Sequence, residues 1–232
     1  MNNLLCNMLK NPNSLRIGLV EDEILVREVL HKICVQEIDA EVVFETGDCT
    51  EAVRKIIATQ PDIVILDLAL NNGTGFSVAG STQIAGVGSK FIAISAYCTE
   101  YTAAMVNHYD FSGFIDKSTC LINELKEAVS KITQGSYYFC KKYKETRLRT
   151  ITNHNSFIKI LSNSEQSVLS LIGRGMDDSE IAARLSISVR TVQGHRSHAM
   201  EKLNIRSVAA LVNFAVTEGI ARFHTEKRFK TY

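Results

Sequence analysis

The sequence has 232 residues, of which 45% are apolar, and its formal net charge is +1. This composition is that of a folded chain of one or two domains, and it excludes a disordered or fibrous protein. Because the first residues lack a signal-peptide core and no run of about 18 apolar residues occurs, we expect a cytoplasmic protein without a membrane segment.

The small net charge hides two halves of opposite sign. Residues 1–134 contain 10 Lys and Arg against 17 Asp and Glu, whereas residues 135–232 contain 16 against 8. A basic half is compatible with a polyanionic partner such as nucleic acid.

The cysteines show no pairing pattern. None forms a CxxC pair or has a histidine at zinc-finger spacing, so we expect reduced and mostly buried thiols rather than disulfides or a zinc site. The six cysteines are Cys6, Cys34, Cys49, Cys98, Cys120 and Cys140.

Residues 15–134 alternate short apolar runs with helical patterns. Runs such as IVIL and FIAI are apolar at every position, which is typical of strands buried on both faces of a parallel sheet. The pattern predicts a doubly wound α/β domain with five strands. The predicted strands are Leu15–Val20, Val42–Glu45, Ile63–Leu66, Phe91–Ser95 and Gly113–Ile115.

Residues 135–160 interrupt this alternation. They contain the segment KKYKETRLR, with five basic residues and a single Glu. We interpret them as a solvated basic linker, helical in part, that could also contact phosphates.

Residues 161–219 are predicted to be helical, within a domain that spans 161–222. A first helix begins at Ser164 and ends at Gly173, and a second spans Glu180–Leu185 with Asp178 or Ser179 as its cap. After the turn Ser186–Ser188, a longer helix runs to Leu203, and a fourth spans Ser207–Thr217. Two helices joined by a three-residue turn indicate a helix-turn-helix.

The ends of the predicted strands carry the most chemically suggestive residues of the first domain. Ligands of an open α/β sheet bind at the carboxyl ends of its strands, where Glu21, Asp22, Asp67, Ser95 and Lys117 all fall. Clustered carboxylates favour Mg²⁺, and one carboxylate can then act as nucleophile toward a phosphoryl group. A lysine neutralises the charge that develops on the phosphoryl oxygens.

This set, with Phe114 three residues before Lys117, resembles the receiver domain of two-component response regulators over residues 15–134. The resemblance implies that Asp67 accepts a phosphoryl group from a sensor histidine kinase. It implies that Glu21, Asp22, Asp67 and the backbone carbonyl of Ala69 bind Mg²⁺. Lys117 would pair with the phosphoryl oxygens, and Ser95 and Phe114 would form a switch pair whose ring rotates inward.

Two positions depart from the receiver pattern. The family usually has proline after the lysine and often four residues after the aspartate, whereas this sequence has Ser118 and Asn71. These changes affect the predicted loop geometry and the lifetime of the phosphorylated state, and they remove no reactive group.

The third C-terminal helix has the features of a recognition helix. Val192, Ala199 and Leu203 share one arc, and the opposite arc is small and polar. Gln193 can read a base edge, and Gly194 allows close approach to DNA or reflects neutral drift. We expect His195 to pack inside the domain. The predicted DNA-contacting residues are Arg190, Thr191, Gln193, Gly194, Arg196, Ser197, His198 and Lys202.

The segment from Leu161 to Ser207 resembles the LuxR-type helix-turn-helix, and the whole chain resembles the NarL/FixJ class of response regulators. The matching positions include Glu165, Gly175, Thr191-Val192 and Lys202-Leu203. The resemblance implies a non-enzymatic transcription regulator that binds double-stranded DNA as a homodimer and receives its signal from a sensor histidine kinase.

Three alternatives can be weighed on residues. The receiver could be a dimerisation or partner-binding module that works without phosphorylation, which the missing prolines would suit. An aspartyl phosphatase would need a second Asp at position 69, where Ala69 stands, and a dinucleotide-binding GxGxxG fingerprint fails at Val78.

Overall fold

A computed structural model describes residues 14–119, 121–153 and 156–221, and these form two compact units. Among the described residues, the first unit comprises 14–96 together with 106–141, and the second comprises 97–105 together with 142–221. Helix α4, Glu100–His108, spans the division. Arg222, the last residue of the predicted helical domain, lies outside the described residues.

The first unit contains a six-stranded parallel sheet with the order β2-β1-β3-β6-β7-β8. The five predicted strands are confirmed to within one residue at each end, and the sixth, β8, was not predicted. The strands of the sheet are β1 Arg16–Val20, β2 Glu41–Thr46, β3 Ile63–Asp67, β6 Lys90–Ser95, β7 Gly113–Asp116 and β8 Tyr138–Phe139.

The apolar runs form the central strands of the sheet, because no polar side chain interrupts them and both faces can be buried. All five residues of β3 are buried, and so are the last five of β6. β3 pairs in register with β1 on one side and with β6 on the other, which places Asp67 beside Ile94. This registry brings the carboxyl ends of the central strands to one edge.

Helices cover the sheet of the first unit. The end of α1 packs into the same core as α5, through Leu30, Ile33 and Leu125, while α2 contacts α3. α1 continues into a π-helical turn, Ile33–Glu37. These helices, with the spanning helix α4, are α1 Ile24–Lys32, α2 Cys49–Thr59, α3 Gly75–Ile84, α4 Glu100–His108 and α5 Leu121–Thr133.

A small antiparallel hairpin follows the central strand. Its strands are β4 Ala69–Leu70 and β5 Gly73–Thr74, joined by a two-residue turn at Asn71 and Asn72. The hairpin was missed from the sequence, although Asn-Asn-Gly is a recognisable turn signal between short strands.

The second unit is helical in the part of the chain that the structure describes. The basic linker segment forms a full helix, α6, and a short helix, α7, follows it. The helices are α6 Lys141–Thr152, α7 Phe157–Ile160, α8 Asn163–Gly173, α9 Asp178–Leu185, α10 Val189–Lys202 and α11 Val208–Thr217.

Side-chain caps fix where these helices begin. Ser162 and Asp177 form capping boxes at α8 and α9, and Ser188 caps α10. The predicted cap of the second helix was wrong by one residue, because Asp177 accepts from the amides of Ser179 and Glu180. Asp178 is therefore the first helical residue and its side chain is available for another contact.

Four of the six cysteines lie among the described residues, and all four are reduced thiols. Cys34, Cys49 and Cys140 are buried and Cys98 is half-buried, as expected; Cys6 and Cys120 lie outside the described residues. Burial raises the pKa of the Cys34 thiol to about 12. Among the described helices, none is both long enough and apolar enough to cross a bilayer.

Candidate functional site

Three carboxylates meet where the central strands end. Glu21 and Asp22 follow β1 and Asp67 ends β3, and one oxygen from each of the three lies within 4.8 Å of the others. Glu21 is fully buried and Asp67 nearly so. The structure thus brings together the three side chains predicted to bind metal, in a geometry that one cation can bridge.

Lys117 joins this cluster from the end of β7. Its Nζ lies 2.7 Å from Oε2 of Glu21 and 2.9 Å from Oδ2 of Asp67. Burial disfavours the charged ammonium, but the charges of Asp67 and Glu21 outweigh this and raise the pKa of Lys117. The lysine therefore stays cationic at the position predicted for it.

Glu21 is the strained member of the cluster. Burial, and next the charge of Asp67, raise its pKa from 4.5 to about 7. Its Oε2 contacts the lysine without a hydrogen bond of normal geometry. This buried carboxylate oxygen can still serve as a ligand for a metal cation. The donor set therefore fits Mg²⁺.

The loop after Asp67 is held by the cluster itself. The amide of Ala69 donates to Oδ1 of Asp67 at 3.0 Å, and the amide of Asn71 donates to Oδ2 of Asp22 at 2.9 Å. Asn72 donates from Nδ2 to Asp48, the cap of α2. The loop is ordered by these bonds where the receiver pattern often has a proline.

The backbone passes Asp67 closely at Gly75. A Cβ there would lie 2.5 Å from the carbonyl oxygen of Asp67 and 3.1 Å from Cα of Leu68. Both neighbours are backbone atoms that cannot move aside, so the start of α3 requires glycine at this position.

The other strand ends carry the predicted switch residues. Ser95 is fully buried beside Asp116 in the sheet, and Phe114 is fully buried as well. The ring of Phe114 is thus already buried, which is the orientation that the resemblance assigns to the phosphorylated form.

Asp116 is a site residue that the sequence did not single out. It is buried, and its Oδ1 accepts from the amide of Ser118 at 3.0 Å and from the hydroxyl of Ser118 at 2.8 Å. The Asp-x-Ser spacing is the available signal for such a turn. The bonds between Asp116 and Ser118 hold the backbone on both sides of Lys117. Ser118 stands where the receiver pattern has proline.

The second candidate site is the exposed face of α10. Val192 and Ala199 are buried, so the opposite face is presented to solvent, as the helical wheel predicts. Six of the eight predicted DNA-contacting residues are exposed and two, Gly194 and Arg196, are half-buried, with His195 also half-buried. The exposed six are Arg190, Thr191, Gln193, Ser197, His198 and Lys202.

The basic residues nearer the end of α10 are paired inside the unit. Arg196 forms an ion pair with Asp178 of α9, and Lys202 lies 2.8 Å from Oε2 of Glu165 in α8. Burial works against the Glu165 carboxylate, but hydrogen bonds from Lys202 and Ser162 outweigh it and lower its pKa. These pairs tie α10 to the two helices before it.

Family models match both parts of the chain that carry these candidate sites. Residues 17–130 match the family model of the response regulator receiver domain, and residues 159–215 match that of the bacterial regulatory proteins of the luxR family. The oxygen regulatory protein NreC of Staphylococcus carnosus is 29% identical over 218 residues, which cover 90% of this chain and all of NreC.

Solved structures share the fold. RcsB from Salmonella enterica serovar Typhimurium, bound to the promoter P1flhDC with phosphomimetic BeF3-, superposes with a TM-score of 0.70 at 21% identity, covering 88% of this chain and 100% of RcsB. A LuxR-family response regulator from Aurantimonas sp. SI85-9A1 gives 0.57 at 24% identity over 60% of this chain and 99% of its own.

The fold and the acidic site define a receiver domain joined to a helix-turn-helix domain. The chain belongs to the two-component response regulators with a LuxR-type DNA-binding domain.

Proposed function

We propose that the chain is a transcription regulator whose sequence-specific DNA binding is controlled by phosphorylation of Asp67. The observation that carries the proposal is Asp67 itself, a nearly buried carboxylate held between two other carboxylates and an ammonium at the sheet edge. The partner is a sensor histidine kinase, whose phosphohistidine is the donor.

The chemistry follows from the contacts of Asp67. A carboxylate oxygen attacks phosphorus, the P–N bond to histidine breaks as the P–O bond to Asp67 forms, and the imidazole leaves and takes up a proton. Lys117 is placed to balance the charge of the transferred group, since its Nζ already lies 2.9 Å from Oδ2. The amide of Ala69 holds the other oxygen.

Glu21, Asp22, Asp67 and the carbonyl of Ala69 are the proposed ligands of Mg²⁺. The bound ion supplies Lewis-acid neutralisation of the phosphoryl oxygens. The raised pKa of Glu21 supports the assignment, because it describes a buried carboxylate whose charge Lys117 balances only in part.

Ser95 and Phe114 are the proposed readout. Both are fully buried on neighbouring strands, so a hydroxyl drawn toward a phosphoryl group on Asp67 would alter the packing around the ring. The change would shift the population toward a form that binds DNA as a homodimer.

The proposed domain boundaries are 15–134 for the receiver, 135–160 for the basic linker and 161–222 for the DNA-binding domain. The matched ranges 17–130 and 159–215 support them. We place the protein in the cytoplasm, where a DNA-binding regulator meets its target. The role is regulatory rather than that of a phosphatase, since Ala69 has no carboxyl group at the position where a phosphatase would need an acid.

A phosphotransfer assay tests the proposal. The purified protein is incubated with a phosphorylated histidine kinase domain or with acetyl phosphate and Mg²⁺, and phosphoryl incorporation is followed by intact mass. Asp67→Asn should abolish incorporation, whereas Asp110→Asn, at an exposed position with φ 48° that asparagine also adopts, should not. Equal labelling of Asp67→Asn would refute the site.

The second arm measures DNA affinity with and without beryllofluoride. A tighter complex in its presence supports control by phosphorylation. Unchanged affinity and oligomeric state would favour the phosphorylation-independent module. The bonds of Asn71 and Ser118 weaken the motivation for that module, because both loops are ordered without proline.

A further inference from the structure

Helix α6, between the two matched domains, is strongly basic and exposed. It carries five Lys and Arg residues against one Glu, and all five basic side chains are exposed. The basic residues are Lys141, Lys142, Lys144, Arg147 and Arg149.

The buried face of α6 fixes which way the basic side chains point. Tyr143 and Thr146 are buried. Within the second unit, the hydroxyl of Tyr143 donates to the carbonyl of Ala103 at 3.3 Å, and the hydroxyl of Thr146 donates to the carbonyl of Cys98 at 3.4 Å. Lys159 closes the helix by donating to the carbonyls of Ile151 and Asn153. A helix anchored along one face presents its other side to solvent, so α6 is a held basic surface rather than a loose linker.

The helix-turn-helix itself is almost neutral. Residues 156–221 contain seven Lys and Arg against six Asp and Glu, which leaves a net charge of +1 with histidine neutral. Residues 141–152 have a net charge of +4 by the same count. Most of the excess positive charge on the described part of the C-terminal half therefore lies on α6.

The recognition helix gains little charge from its own residues. Of its three Lys and Arg, Arg196 and Lys202 form ion pairs with Asp178 and Glu165. DNA affinity depends on cations that neutralise phosphates and release counterions. A nearly neutral domain needs such cations from elsewhere.

We propose that the exposed basic face of α6, made of Lys142, Lys144, Arg147 and Arg149, is a second DNA-contacting surface that binds backbone phosphates. This inference rests on the proposed DNA-binding function. The surface adds affinity without sequence preference, because flexible ammonium and guanidinium groups on an exposed helix face meet phosphates rather than base edges. Sequence reading stays with α10.

The test is a salt titration of DNA binding by the full-length chain, using a fluorescein-labelled duplex of mixed sequence and anisotropy as the readout. Each lost phosphate contact lowers the slope of log affinity against log salt by about 0.9. For Lys144→Gln, Arg147→Gln and Arg149→Gln combined, we expect a slope shallower by about 2 to 3 and binding roughly 10- to 100-fold weaker near 0.15 M salt.

Two matched variants isolate the effect. Lys32→Gln, Arg54→Gln and Lys90→Gln combined remove the same charge from exposed positions of the first unit and should leave slope and affinity close to wild type. Lys144→Arg, Arg147→Lys and Arg149→Lys combined keep the charge on α6 and should also bind like wild type.

The outcomes separate the two claims. If the wild type shows no salt-dependent binding to any duplex, the proposed DNA-binding function fails. If the wild type binds and the α6 variant matches the charge-matched control, the α6 surface is refuted. A third outcome concerns Leu148 and Ile151, which are exposed apolar residues of α6. If the α6 variant sediments differently from wild type without DNA, the helix mediates contact between two copies of the chain, and the proposal is overturned.

Discussion

The backbone amide of Cys140 donates a hydrogen bond to the carbonyl oxygen of Phe114 at 3.1 Å. Phe114 is the proposed switch residue, and Cys140 lies directly before α6, the helix that leads to the DNA-binding domain. The amide of Tyr138 likewise donates to the carbonyl oxygen of Ser112, directly before β7. The first residues of the linker, which include β8, are thus hydrogen-bonded to the strand that carries the switch residue. Movement of Phe114 has a direct backbone connection to the linker.

Removing that amide should uncouple the two. Cys140→Pro lacks the N–H, while Cys140→Ala keeps it and controls for the loss of the thiol. We expect both variants to accept a phosphoryl group on Asp67, with the proline variant less stable by roughly 1 kcal/mol. Only the proline variant should lose the difference in DNA affinity with and without beryllofluoride. An undiminished difference in a folded proline variant would show that the signal travels by another route.

Replacing Lys117 should reveal its role as a built-in counter-ion. In Lys117→Ala, the buried carboxylates of Glu21 and Asp67 lose their cation, and we expect the metal-free protein to be destabilised by roughly 3–5 kcal/mol near pH 8. Saturating Mg²⁺ should increase the stability of this variant more than that of wild type, because the ion replaces the positive charge that Lys117 supplied. Urea unfolding with and without Mg²⁺ measures both quantities.

The control for this experiment is Lys126→Ala. Its ion pair with Glu37 is about half exposed on both sides, so it should cost about 1 kcal/mol or less and leave the Mg²⁺ response unchanged. Equal effects of the two substitutions would contradict the counter-ion role.

The ion pair between Glu165 and Lys202 predicts a pH dependence. The pKa of Glu165 is lowered in the folded state, so its stabilisation is fully present above the ordinary value of 4.5 and is lost as pH falls through the lowered pKa. Glu165→Gln keeps the capping box with Ser162 and removes only the charge. We expect it to cost about 1 kcal/mol at neutral pH, with the two stability curves converging in acid.

Urea unfolding at a series of pH values measures this convergence, with Glu201→Gln on the exposed side of α10 as the control. Parallel curves for wild type and Glu165→Gln would show that the pair contributes nothing that depends on its charge.

Gly194 should lower the stability of α10 and allow the helix to approach DNA closely. A Cβ at this position meets nothing within 4 Å, so Gly194→Ala should stabilise α10 by up to about 1 kcal/mol. We expect DNA binding to weaken about tenfold at the same time, since the methyl group would stand between helix and groove. Thermal melting and anisotropy give the two values. Gly173→Ala is the contrast, because its Cβ would lie 2.4 Å from Cβ of Ala221 and should destabilise the unit. Unchanged DNA affinity of Gly194→Ala would mean that the glycine serves no function there.

Much of this protein is determined locally by its sequence. The runs IVIL and FIAI specify buried parallel strands because no polar side chain offers either face to water, and Ser188 fixes the start of α10 through one hydrogen bond. The sequence also places Glu21, Asp67 and Lys117 at the same edge of the sheet, since parallel strands end at one edge.

Tertiary structure decided what local pattern leaves open. β8 is two residues long and exists only because the edge of β7 offers it partners, and the pairing of Arg196 with Asp178 and of Lys202 with Glu165 depends on how three helices pack. The loop around Lys117 is held by hydrogen bonds from Ser118 to the side chain of Asp116, and the composition of the sequence does not reveal these contacts. Periodicity specifies which face of an element is buried; only the packed chain specifies which polar group meets which, because those pairings depend on distances between segments far apart in sequence.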